Sequence, residues 1–102
     1  MTTQAFEHEL GPGQTLIADV SLMAVPFAWS AEVPAGTEIA YDGSISADAG
    51  DWIEPAQNAA ITGDVSDYEL DPFRFMRFRH TTGADTATIR VAGIGRLEWS
   101  VS

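Results

Sequence analysis

A chain of 102 residues with fifteen Asp and Glu against five basic residues, all arginine, carries a net charge of −10 and has room for one core. Single domains run to about 100–150 residues, and nucleic-acid binding rests on cation–phosphate contacts that this charge balance disfavours. The absence of cysteine excludes a disulfide framework and a thiol nucleophile, and no apolar run approaches the ~20 residues of a membrane-spanning helix.

The first ten residues, MTTQAFEHEL, lack the basic and apolar regions of a secretory signal. They read as a leader or arm ahead of one domain over 11–102, with folding in a reducing cytoplasm as the expectation. From Gly11-Pro12-Gly13 onward, turn signals recur roughly every 8–12 residues, the rhythm of an all-β sandwich or barrel. Gln14–Leu22 alternates through Leu16, Ala18, Val20 and Leu22, with Ile17 as the exception. Ala24–Val33 is a second strand, in which Pro26 requires an edge or bulge because it cannot donate to a ladder. Thr37–Asp42 is a third, closed by Asp42-Gly43 as a tight turn.

Residues 43–72 are irregular and acidic and read as a long surface loop, with short strands at Trp52-Ile53 and Ala59–Ile61. Phe73–His80 is strand-like but mixes its parities, which implies a bulge near 75–76 or two half-covered faces. Thr81–Asp85 then reads as a hairpin, Thr86–Ala92 as a strand, Gly93-Ile94-Gly95 as a turn, and Arg96–Val101 as the last strand of a β-meander. No stretch keeps a capped 3.6-residue period. The fold class is therefore a single small antiparallel β-sandwich, or a barrel-like variant, of about 7–8 strands with little or no helix.

Charge is divided along the chain. Residues 1–73 hold thirteen carboxylates and no cation, whereas 74–102 hold all five arginines against Asp85 and Glu98. The plain reading is that arginines and carboxylates pair within the folded domain; the functional one is that some arginines meet an acidic partner. Catalytic constellations are missing. His8 and His80 sit in no nucleophile signature and read as surface residues, and Asp42-Gly43-Ser44 is not a hydrolase elbow. The carboxylates fall in polar loops, where solvent holds them near their ordinary values and no acid–base pair is set apart.

Asp64, Asp67, Glu69 and Asp71, with Asp48 and Asp51 nearby, could offer oxygens to calcium, yet they do not match its spaced loop. A solvated acidic loop is the plain reading, and no metal or cofactor is expected. Gly93-Ile94-Gly95 precedes a strand and not the helix a phosphate cradle needs. Most of Trp29, Trp52, Trp99, Phe27, Tyr41, Phe73, Phe75 and Phe78 belong in the core. Trp52, beside Asp51 and Glu54, is the candidate exposed anchor. Tryptophan and arginine dominate interface hot spots, so Trp52, Arg77 and Arg79 are the candidate partner-binding residues.

Asp71-Pro72-Phe73-Arg74-Phe75-Met76-Arg77-Phe78-Arg79, followed by Gly83 and Thr86-Ala87-Thr88-Ile89-Arg90-Val91, resembles the ending of small β-sandwich accessory proteins of tailed-bacteriophage virions. The resemblance implies a non-enzymatic particle component, made in the host cytoplasm and carried on the virion. Capsid decoration, cement and turret proteins of this kind bind the major capsid protein or other virion proteins and assemble as homo-oligomers. It implies no catalytic residue, and charge, hydropathy and the missing motifs add the expectation of no nucleic-acid or membrane partner and no cofactor. The acidic stretch 43–72 departs from that pattern. The alternatives are a tail or head-completion protein and a ligand-binding β-sandwich, carbohydrate-binding or adhesin-like.

Overall fold

The computed structural model describes residues 3–46, 50–53, 60–70 and 73–102. Among them run eight strands and no helix: β1 (Thr3–Leu10), β2 (Thr15–Met23), β3 (Phe27–Glu32), β4 (Glu38–Ser44), β5 (Ala60–Ile61), β6 (Val65–Glu69), β7 (Phe75–Thr82) and β8 (Ala87–Val101). Every pairing is antiparallel, and the strands form a nearly closed barrel of two facing sheets. The first sheet runs β1–β8–β3–β6. The second runs β8–β2–β7–β4–β5. The orders 1-8-3-6 and 2-7-4-5 are those of a jelly roll, to which the second half of β8 adds a further pairing with β2.

Period-two patterning explains these strands. Leu16, Ala18 and Val20 of β2, Ile39 and Tyr41 of β4, Met76 and Phe78 of β7, and Ala87, Ile89 and Val91 of β8 all turn inward and are buried. Trp29, Tyr41 and Phe78 form the aromatic centre, with ring centroids 4.8, 5.6 and 4.9 Å apart across the three pairs. Such contacts add about 0.5–1.5 kcal/mol beyond the burial itself. Glu69 of β6 is buried and accepts a hydrogen bond from the Tyr41 hydroxyl, which ties the two sheets together through the core.

Several sequence-based expectations are corrected. Thr3–Leu10 is not a free arm. It pairs along its whole length with β8, its Leu10 is buried, and Phe6 and His8 pack edge-on against Trp99 at 5.8 and 5.9 Å. Asp42 and Gly43 do not turn; they lie inside β4, where the Phe73 ring rests so close to Gly43 that a Cβ would meet it at 2.5 Å. That packing also accounts for the mixed parity near Phe73. This ring precedes β7, while β7 keeps register with β2 and β4 through 75–76 without a bulge.

β7 and β8 form no hairpin, because they belong mainly to different sheets. Gly93-Ile94-Gly95 is no turn either: β8 runs through it, pairing with β1 and β3 before it and with β2 after it. Part of the presumed acidic loop is strand β6, hidden by its short, polar alternation. His80 is buried, with its ring Nε2 2.7 Å from the Asp85 carbonyl oxygen.

Candidate functional site

The outer face of the second sheet gathers the candidate partner-binding residues. On β7, inward Met76 and Phe78 leave Arg77 and Arg79 on the opposite face, and β4 presents Asp42 beside them. Register places Asp42 opposite Arg77 and Ala40 opposite Arg79. Arg77 donates from Nε and Nη2 to Asp42 Oδ2 at 3.0 and 2.8 Å. Arg79 reaches the same oxygen, donating from Nε at 3.3 Å with its Nη2 3.2 Å away. One carboxylate oxygen thus orders two guanidinium groups.

Trp52 arrives from a separate segment. Gly43 and Ile53 exchange two backbone hydrogen bonds of 2.9 and 2.7 Å, and Ser44 Oγ donates to the Gly50 carbonyl. These bonds dock residues 50–53 on the edge of β4 and hold Trp52 half-buried beneath Arg77, whose guanidinium carbon is 4.3 Å from the ring centroid. A guanidinium within about 6 Å of an indole centroid gains roughly 0.5–2 kcal/mol, more as water is excluded. Ile53 on this segment and Ile45 just after β4 are exposed, and half-buried Phe75 shares the face with Arg77. The three residues singled out from the sequence therefore form one cluster. Asp42, which holds them, was read as a turn residue, and its role follows only from the β4–β7 register.

Two of the three remaining arginines, Arg90 and Arg96, also find carboxylates. Arg90 on β8 donates from Nη1 to Glu32 Oε1 at 2.7 Å and from Nε to Glu7 Oε1 at 2.6 Å. The Glu32 and then the Glu7 hydrogen bonds raise the Arg90 pKa above its ordinary value. Arg96 pairs with Glu98 at 2.9 Å on the open surface, where such pairs contribute little.

The described members of the acidic cluster are not gathered into one site. Asp64 accepts the Val33 amide at 2.9 Å and Glu69 binds Tyr41 inside the core, while Asp48 and Asp71 fall outside the described residues. Among the described residues no group of three His, Asp or Glu side chains could hold a metal ion.

No family model, curated protein or solved structure matches this chain. The jelly-roll order is used by viral capsid domains and by lectins alike, and a fold alone assigns no activity.

A second surface feature escaped the sequence reading. The outer face of the first sheet holds an open depression of about 510 Å³ around Ala5, Ala28, Ala92, Ser30, Ser66, Tyr68, Glu7 and Arg90. Tyr68, 70 % exposed, projects from edge strand β6. Alanine and serine carry no functional signal in a sequence, and their rows meet only when β1, β8, β3 and β6 align.

Proposed function

We propose that the protein is a non-enzymatic structural component of a tailed-phage virion. In this reading it is a capsid decoration, cement or turret protein that docks on the major capsid protein through the outer face of the second sheet. The observation that carries the docking surface is the Trp52–Arg77–Asp42–Arg79 cluster. Ordering long side chains at an interface costs about 0.5–1.5 kcal/mol each. Asp42 and the Trp52 ring already restrain these arginines in the free protein. Tryptophan and arginine beside exposed isoleucines have the composition of a hot spot, and many copies on a symmetric shell multiply weak contacts into firm attachment. The choice of a phage particle comes from the resemblance over residues 71–91.

Density-gradient fractionation of particles from the source culture, with the chain counted by mass spectrometry against the major shell protein, tests the reading. A fixed ratio set by shell symmetry is expected. Trp52→Ala or Arg77→Ala should lower that ratio while the purified variant keeps its circular dichroism. Absence of the chain from every particle fraction would overturn the assignment.

A further inference from the structure

We infer that the outer face of the first sheet is a groove for a neutral, polyhydroxylated oligosaccharide. Strand register builds it. Ala5, Ala92, Ala28 and Tyr68 lie in one row across β1, β8, β3 and β6, and Glu7, Arg90, Ser30 and Ser66 lie in the next. With side chains this small on the central strands, backbone and methyl groups become the floor. Its volume of about 510 Å³ falls within the ~300–1,000 Å³ of small-molecule sites. A further depression of about 360 Å³ shares Ser30, Ser66 and Arg90 with the first and continues to Glu32 and Asp64. Together they follow β3 from Ala28 to Glu32, about 13 Å at ~3.3 Å per residue. That shape suits a short chain better than a single ring.

The chemistry narrows the occupant. Tyr68 stands at one end as an exposed ring on which the C–H face of a sugar can stack, and the alanine floor continues that apolar surface. Arg90 crosses the middle, fixed by Glu7 at 2.6 Å and Glu32 at 2.7 Å. A guanidinium carries five N–H donors and each carboxylate two acceptor oxygens, so the trio retains donors and acceptors at set positions, as neighbouring hydroxyls require. Charge decides against the competitors. Among the described residues the one cation lining the groove, Arg90, is already matched by two carboxylates, Asp64 and Asp67 line it as well, and the whole chain carries −10. Phosphate, sulfated glycans and sialylated glycans would therefore be repelled. A cationic peptide would meet these carboxylates but would leave the stacking ring and the alanine floor unused.

The inference rests on the first sheet alone, so it can fail or hold independently of the virion assignment, whose docking residues lie on the other face. The test is an array of neutral glucans, mannans, galactans and chito-oligosaccharides, with sialylated and sulfated glycans and oligolysine alongside. Calorimetric titration of the best neutral binder follows. Tyr68→Ala removes the platform and Ser66→Trp fills the groove, both from exposed positions on the edge strand, and thermal melts establish that each variant folds. The expected result is a neutral glycan whose affinity falls about tenfold or more in each folded variant and is unchanged by Trp52→Ala. No neutral binder up to ~10 mM ligand, binding that survives Tyr68→Ala, or preference for anionic glycans or oligolysine would overturn the assignment.

Discussion

Asp42 is largely buried at the end of two arginine side chains, and its substitution separates structural from binding contributions. Arg77 and Asp42 keep 21 % and 11 % of their side-chain surface exposed, whereas Arg79 keeps 41 %. A hydrogen bond to a charged group contributes about 1.5–3 kcal/mol when shielded and far less when solvated. Asp42→Ala is therefore expected to lower stability by about 2 kcal/mol in urea titration, and Arg79→Ala by no more than about 0.5 kcal/mol. Equal losses would show that the shared oxygen does not favour Arg77. At this scale the sequence was partly legible. Trp52, Arg77 and Arg79 could be chosen by residue type, since few other groups suit a protein contact. Asp42 could not, because Asp-Gly is also the best two-residue turn. Tyr68 and Arg90 gave no sign of sharing a groove whose floor is alanine.

At the level of elements, β8 decides the architecture. Gly95 has φ +129, a conformation side chains rarely adopt, and a Cβ there would meet Met23 Cα at 2.8 Å and run into the Leu22 carbonyl oxygen. This close approach occurs where β8 passes from the first sheet to the second. Gly95→Ala is expected to cost more than about 3 kcal/mol, about 1–2 kcal/mol of it from the wrong backbone region and the rest from displacement of β2. By contrast, the same change at Gly13, whose φ is +75 and whose Cβ would touch nothing within 4 Å, carries only the local penalty of about 1–2 kcal/mol. Chemical denaturation of both variants compares them, and equal losses would mean that the crossover tolerates a methyl group. Alternation revealed most strands, including both halves of β8. The paired glycines suggested a turn because local signals cannot distinguish reversal of a chain from its transfer between sheets. β1 was missed because His8 interrupts its apolar parity, although its ring packs inward against Trp99.

For the molecule as a whole, charge separated along the chain is brought together by the barrel. Arg77, Arg79 and Arg90 all pair with carboxylates from the first 42 residues. Ten negative charges remain uncompensated, and self-repulsion of that kind destabilises a compact state until salt screens it. Raising sodium chloride from about 0.05 to about 0.5 M should lift Tm by roughly 4–8 °C, the equivalent of about 1 kcal/mol in a domain of this size. A fall in Tm would mean that the ion pairs outweigh the repulsion. The path of β8 also sets an order of assembly. Within the first sheet only β3 and β6 can pair without it, while β1 must wait for residues 87–94 and β2 completes its last ladder with residues 95–101. On the ribosome, β1 is made first and finds its partner nearly last, so the nascent barrel keeps an open seam until the chain has been synthesised through Val101.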